Sequence, residues 1–230
     1  MSKSLLVERR ALERRSIRSL LNRKSTRCLA IAIVFGLLIL PVTIPLRVIL
    51  LACIATIWTW MEAGNLKPLG FSRHRLSSTL IWGIGIAVAV TVFGAAFLPL
   101  IRQLLGVRSD LSAYGALAGN APAALKLLGK ALTSAAFGEE IVFRGFLLHQ
   151  LTAILGSGKA TRRGAIAISG LAFGFAHINQ GLFGIVTTGL VGAIFAWAWF
   201  RTGRNLWALI LAHALVDSYG IAMLYLGLDA

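Results

Sequence analysis

The sequence is poor in charged residues, and acidic residues are the scarcest of them. Only 13% of the 230 residues are charged and eight are Asp or Glu, whereas 57% are hydrophobic. The mean hydropathy is +0.81. A typical soluble domain contains roughly 25% charged residues. This composition excludes an ordinary water-soluble fold and indicates a protein built for lipid.

Cysteine is nearly absent, and no linker divides the chain. The two cysteines, Cys28 and Cys53, both fall within apolar stretches. This excludes a disulfide framework and a cysteine-based zinc site. The sequence also lacks a Ser/Gly-rich linker, a low-complexity tract and a repeat period, so we expect one hydrophobic core and a single membrane domain.

Basic residues are plentiful, but their distribution does not favour nucleic acid. The formal net charge is +15, and nine of the 23 Lys and Arg residues lie in the first 27 positions. We interpret residues 1–27 as a basic cytoplasmic tail that directs topology, followed by a membrane domain over residues 28–230. A helix lying on anionic lipid is the alternative for this tail, since leucine and isoleucine recur within it.

Hydrophobic runs predict an all-α polytopic membrane helix bundle with about seven transmembrane helices. A membrane helix needs about 20 mostly apolar residues to cross the hydrocarbon core. Pro41 and Pro45 separate the first two segments, which are short, and Pro122 suits the first turn of the fourth. The predicted spans cover residues 28–42, 46–61, 80–101, 122–151, 165–178, 182–200 and 206–226. The G-x-x-x-G spacing of Gly170 and Gly174 in the fifth span would allow another helix to approach closely.

The loops between these spans carry basic residues asymmetrically. With the amino terminus inside, 17 Lys and Arg residues lie on the cytoplasmic side and five lie outside, among them Arg47 and Arg108. Cytoplasmic loops of membrane proteins carry the excess of Lys and Arg. The sequence therefore predicts an inside amino terminus and an outside carboxyl terminus, in an inner or cytoplasmic membrane.

Several ionisable residues interrupt the predicted spans. They are Glu139, Glu140 and Arg144 in the fourth span, His177 in the fifth, and His213 with Asp217 in the seventh. An Asp, Lys or Arg at the centre of a membrane helix costs roughly 2.5 to 3.5 kcal/mol on insertion scales. We therefore expect these side chains to face one another or a wet cavity. The spacing of four between Glu140 and Arg144, and between His213 and Asp217, places each pair on one helix face.

Three motifs formed by these residues resemble those of the CPBP family, the CAAX proteases and bacteriocin-processing enzymes that include the Ras-converting prenyl endopeptidases. The resemblance covers about residues 120–220. The motifs are Glu139-Glu140-x-x-x-Arg144 for the family's E-E-x-x-x-R, Phe173-x-x-x-His177 for F-x-x-x-H, and His213-x-x-x-Asp217 for H-x-x-x-N/D.

The resemblance implies an intramembrane endopeptidase of the CAAX protease type, in which Glu140 activates a water molecule. By the same analogy His177 positions the water or nucleophile and His213 helps to stabilise the oxyanion. Glu139 and Arg144 hold the geometry. Asp217 departs from the Asn of the prenyl endopeptidases; an ionised carboxylate cannot donate a hydrogen bond, so we assign it to orienting His213 or binding metal. The implied substrate is a membrane-anchored protein or peptide.

The residue types leave two alternatives open. A zinc-dependent version of the same protease would use Glu140, His177, His213 and Asp217 as ligands. The chain lacks the compact H-E-x-x-H arrangement, however, and we predict that no metal is obligatory. The second alternative is a proton-coupled membrane transporter, because intramembrane acids and histidines also relay protons. No inverted repeat supports it.

Overall fold

The computed structural model describes residues 3–39, 44–106, 117–156 and 158–228, and within these ranges it is helical without a β-strand. Pro41, Arg108 and Ala230 lie outside the described residues. The helices are α1 Lys3–Leu21, α2 Lys24–Gly36, α3 Ile44–Ala63, α4 Leu76–Leu105, α5 Ala121–Lys130, a π-helical segment Ala131–Leu147, α6 Leu148–Leu155, α7 Lys159–Ala176, α8 Gly181–Arg201 and α9 Leu206–Tyr225.

Four of the described helices are long and apolar enough to cross a membrane. They are Pro45–Ala63, Leu76–Leu105, Ile178–Arg201 and Leu206–Tyr225, and they coincide with the second, third, sixth and seventh predicted spans. The all-α polytopic bundle is thus confirmed, and the chain is an integral membrane protein. The other three predicted spans are helical where they are described, but the total of seven stays a prediction.

Helix α4 shows how the bundle meets lipid. Ile81, Ile84, Val88 and Val92 recur every three or four residues along one face, and between 52% and 71% of each is exposed. Soluble proteins rarely expose apolar patches of this extent. The opposite face of α4 buries Gly83, which packs against Leu211 of α9. A lipid-facing surface accounts for the exposed stripe.

A continuous helical run from Ala121 to Leu155 passes through the bundle and is contacted by α3 and α9. It begins where the sequence predicted, because Pro122 occupies the first turn and the Asn120 side chain accepts a hydrogen bond from the Ala123 amide at 3.2 Å. Pro lacks the amide hydrogen that the first turn would leave unpaired. Its middle part is the π-helical segment, in which 13 of the 17 residues are buried.

Helices α7 and α8 form a tightly packed pair. A Cβ atom on Gly170 would lie 2.9 Å from the Gly189 carbonyl oxygen, and one on Gly174 would lie 2.5 Å from the Ile185 carbonyl oxygen. Both distances are shorter than side chains tolerate. The close helix approach predicted from the G-x-x-x-G spacing is therefore confirmed. This contact fixes the end of α7, where His177 follows.

Candidate active site

The π-helical segment carries the first of the three motifs. Glu139, Glu140 and Arg144 all lie on it, and the side chains of Glu140 and Arg144 are completely buried. π-Helical geometry is rare and occurs frequently at functional sites. Here it extends over 17 residues. The motif acids therefore lie in the bundle interior, away from lipid, as the sequence predicted.

Glu140 and Arg144 form a buried ion pair whose cation is surrounded by aromatic rings. Arg144 Nη1 lies 3.0 Å from Glu140 Oε1. The guanidinium carbon lies 4.3 Å from the ring centre of Phe173 and 5.0 Å from that of Phe195. Aromatic faces attract a desolvated cation. The rings thus stabilise the buried positive charge beside Glu140.

His213 joins the same carboxylate from a different helix. Its Nδ1 lies 2.8 Å from Glu140 Oε1, and its Nε2 lies 3.6 Å from Asp217 Oδ2, one turn further along α9. Because an ionised carboxylate only accepts hydrogen bonds, the shorter contact requires a proton on Nδ1. Glu139 is close enough to interact electrostatically with both His213 and Asp217.

His177 reaches the site from the end of α7. The ring is half-buried, and its Nδ1 donates a hydrogen bond to the Phe173 carbonyl oxygen at 2.8 Å. This bond leaves Nε2 as the ring nitrogen available to other groups. The ring also packs 4.8 Å from the ring of Phe173, which in turn lies 6.3 Å from that of His213. His177 thus approaches the other motif residues through Phe173.

The structure therefore brings five of the six predicted residues into one cluster, here called the motif cluster: Glu139, Glu140, Arg144, His213 and Asp217. His177 lies at its edge and interacts electrostatically with Asp217. Within the described part of the chain, Glu140 Oε2 and Arg144 Nε are buried without a hydrogen-bond partner. Buried polar atoms are seldom left so. Oε1 of Glu140 is thus held by two contacts, whereas Oε2 has no hydrogen-bond partner among the described residues.

Residues 120–219 match the family model described as type II CAAX prenyl endopeptidase Rce1-like. These residues form an Rce1-like CAAX endopeptidase domain. It contains all six motif residues and α5 to α9, and it confirms the resemblance drawn from the three motifs. No curated protein and no solved structure matched.

Domains of this family belong to intramembrane endopeptidases, and this supports peptidase activity on a membrane-associated peptide in general. The matched range begins at the cap of α5 and ends within α9. Helices α1 to α4 lie outside it. Two of the four candidate spans therefore precede the Rce1-like domain.

The side chains named from the sequence as possible zinc ligands mostly contact other protein groups. Among the described residues, no three His, Cys, Asp or Glu side chains converge as a metal ion requires. Both ring nitrogens of His213 face carboxylate oxygens, and the Arg144 cation lies 3.0 Å from Glu140. The Arg144 cation thus lies beside Oε1 of Glu140. The four ligands named from the sequence are thus not arranged as a set.

A second buried cluster was missed by the sequence analysis. Glu62 of α3 accepts contacts from three side chains: Arg27 Nη2 at 2.5 Å and His149 Nε2 at 2.9 Å on Oε1, and Gln150 Nε2 at 2.8 Å on Oε2. Arg27 also donates to Gln150 Oε1 at 2.7 Å and to Asn22 Oδ1. We call Arg27, Glu62, His149 and Gln150 the Glu62 cluster.

The Glu62 cluster connects the matched domain to the preceding helices. His149 and Gln150 lie on α6, whereas Arg27 and Glu62 lie on α2 and α3. Arg27, the last residue assigned to the basic tail, is in fact buried on α2. The sequence did contain a signal for a buried acidic residue here, because Glu62 is one of only eight Asp and Glu residues and directly follows an apolar run.

Proposed function

We propose that this protein hydrolyses a peptide bond of a membrane-anchored protein or peptide, using a water molecule activated by Glu140. The Rce1-like domain supports peptidase activity of this kind. The observation that carries the mechanism is the asymmetry of Glu140, whose Oε1 is held by Arg144 and His213 while Oε2 has no hydrogen-bond partner among the described residues.

This asymmetry suits a general base. A base must be held in place and must also keep one oxygen within hydrogen-bond reach of the proton that it removes. Two contacts on Oε1 restrain rotation of the carboxylate, and the surrounding protein restrains the helix. Oε2 can then accept a hydrogen bond from the attacking water. A positioned base contributes about 10² to 10⁴ in rate.

The other motif residues support Glu140 in this proposal. Arg144 holds a positive charge 3.0 Å from Oε1 of the carboxylate and so restrains it electrostatically. His213 positions the carboxylate through Nδ1, and Asp217 orients the His213 ring. Stabilisation of the oxyanion by His213, which the family resemblance implies, would require it to leave Glu140 first. His177 positions the water, since its Nε2 is not used by the Phe173 contact.

The proposed reaction needs no group beyond the substrate and water. Glu140 takes a proton from water as the water oxygen attacks the peptide carbonyl carbon, which gives a tetrahedral oxyanion. The carbon–nitrogen bond then breaks, and the proton held by Glu140 passes to the leaving amine nitrogen. The products are a carboxylic acid and an amine, which exchange a proton to become a carboxylate and an ammonium group, and the Glu140 carboxylate is regenerated.

We further propose that the reaction proceeds without an obligatory metal. The Arg144 cation beside Glu140 supports this, because a dication there would be repelled. The test is stoichiometric metal analysis of active protein in detergent, combined with chelator treatment. We expect less than one metal ion per chain and peptidase activity that is unchanged after chelator treatment. One zinc per chain, with activity lost on its removal and restored on its return, would overturn this part of the proposal.

The proposal also keeps the predicted orientation, with the amino terminus inside and the carboxyl terminus outside the cytoplasmic membrane. An odd number of spans is required for this, whereas four spans alone would leave both termini on one side. Reporter fusions at Ala230 distinguish these cases. A reporter that behaves as outside supports seven spans, and one that behaves as cytoplasmic contradicts the orientation.

The function is tested by comparing small membrane peptides from cells that produce the wild-type protein, Glu140→Gln or Glu8→Gln. Glu8 is an exposed acid on α1 and provides the matched control. We expect peptides that are present with wild type and Glu8→Gln and absent with Glu140→Gln at equal protein level. Identical peptide sets for wild type and Glu140→Gln would contradict the proposed base.

A further inference from the structure

A small depression opens at one membrane surface, away from the motif cluster. It has a volume of about 230 Å³ and is lined by Thr152, Arg162, Phe200, Gly203 and Arg204. These residues come from α6, α7, the end of α8 and the turn that follows it. Because spans Ile178–Arg201 and Leu206–Tyr225 are joined by this turn, it lies where the helices leave the membrane.

The depression is positively charged, and no ion pair among the described residues neutralises it. Arg162 and Arg204 are both exposed, and neither forms an ion pair with a described residue. The sequence from 145 to 216 contains no Asp or Glu at all. The Arg162 guanidinium lies 5.8 Å from the ring centre of Phe200, and both residues line the depression. Two arginines converge on one concave site without an acidic partner.

Arg204 is held there by a rigid turn. Its φ of 64° makes it the one non-glycine residue at positive φ in the described ranges. Its amide donates to the Trp199 carbonyl oxygen at 2.9 Å, and its own carbonyl packs against Gly70, where a Cβ would lie only 2.6 Å away. A left-handed conformation is unfavourable for arginine, and glycine adopts it freely. These backbone contacts fix the position of Arg204 in the lining of the depression.

We propose that this depression binds a phosphate group, either from the headgroup of an anionic phospholipid or from a phosphate compound in solution. Arginine presents planar paired donors that match phosphate oxygens. Basic pockets between transmembrane helices at the membrane surface bind lipid headgroups by this chemistry. The proposal does not depend on peptidase activity, because the depression shares no residue with the motif cluster.

The test uses the full chain in phosphatidylcholine nanodiscs, with phosphatidylglycerol or inorganic phosphate as the added probe, and native mass spectrometry to count bound molecules. Measurements at about 0.15 M salt screen distant exposed charges. We expect Arg204→Gln and Arg162→Gln to weaken phosphatidylglycerol binding about tenfold, since each removes a charged hydrogen-bond donor. Arg201→Gln and Arg163→Gln are matched controls, because these neighbours do not line the depression.

Arg204→Gly separates binding from folding. Glycine relieves the left-handed strain, so this variant should keep or raise the thermal midpoint while it loses binding as Arg204→Gln does. Binding of phosphatidylglycerol that inorganic phosphate fails to displace assigns the site to lipid, and displacement assigns it to soluble phosphates. Equal losses in all four glutamine variants, or binding retained in Arg204→Gly, would overturn the proposal in favour of general surface charge.

Discussion

The motif cluster and the Glu62 cluster contain the same kinds of side chain but differ in how completely these are paired. Each has a buried glutamate in contact with an arginine and a histidine. In the Glu62 cluster both carboxylate oxygens have partners, and the amide of Gln150 completes the set. In the motif cluster Glu140 Oε2 and Arg144 Nε have none among the described residues.

We interpret the fully paired Glu62 cluster as structural and propose a chemical role for the incompletely paired motif cluster. A fully paired buried network stabilises and orients the helices that carry it, since each polar atom is satisfied. An atom left open in a low-dielectric interior is costly, and it persists when the site has another use for it. The presence of buried charges alone does not distinguish the two clusters, whereas the pairing of each atom does.

The largest loss of stability that we expect comes from substitution of Arg144. Arg144→Ala removes the partner of a completely buried carboxylate and should lower stability by about 3 to 5 kcal/mol. Accumulation in the membrane and the thermal midpoint in detergent measure this. The double variant Glu140→Gln/Arg144→Ala should recover part of the loss, because the unpaired charge is gone. Normal accumulation of Arg144→Ala would contradict the buried ion pair.

A second prediction compares His177 with His149. His177→Ala should lower the cleavage rate about 10²-fold with little change in thermal midpoint, because the ring is half-buried and positions the water in the proposed mechanism. His149→Ala should lower stability by about 1 kcal/mol through the lost contact to Glu62, with cleavage per folded molecule unchanged. Loss of cleavage in both variants, or loss of thermal stability in both, would contradict this prediction.

A smaller effect concerns the helix contact that fixes His177. Gly174→Ala places a methyl group against the Ile185 carbonyl oxygen and should cost about 1 to 3 kcal/mol. Gly164→Ala on the same helix meets no atom within 4 Å and should be neutral or stabilising by up to about 1 kcal/mol. Thermal midpoints of the two variants measure this, and equal midpoints would contradict the close α7–α8 contact.

The sequence predicted what depends on local spacing. The pairs Glu140 with Arg144 and His213 with Asp217 follow from one helical turn each, and both contacts are present. The start of the fourth helix near Pro122 and the glycine contact at Gly174 also depend on neighbouring residues or on small size. The motifs located the Rce1-like domain to within a residue of its matched end.

The sequence predicted that the ionisable residues of three spans face one another or a wet cavity, but it did not predict their individual contacts. The His213 contact to Glu140 joins residues 73 apart, and the Gln150 contact to Glu62 joins residues 88 apart. Such contacts depend on the packing of whole helices, which one sequence does not specify. For the same reason nothing in the sequence indicated that His149 contacts Glu62. The π-helical geometry from Ala131 to Leu147 has no sequence signal that we recognise.

The most direct test of the account measures cleavage and stability for Glu140→Gln and Glu62→Gln in parallel, using purified protein in nanodiscs. A glutamine at either position keeps the size of the side chain and an accepting oxygen. We predict that Glu140→Gln loses about 10²- to 10⁴-fold in cleavage rate while its thermal midpoint stays near wild type. Glu62→Gln should lower the midpoint and keep its cleavage rate per folded molecule. Near-normal cleavage by Glu140→Gln, or loss of cleavage by folded Glu62→Gln, would contradict the account.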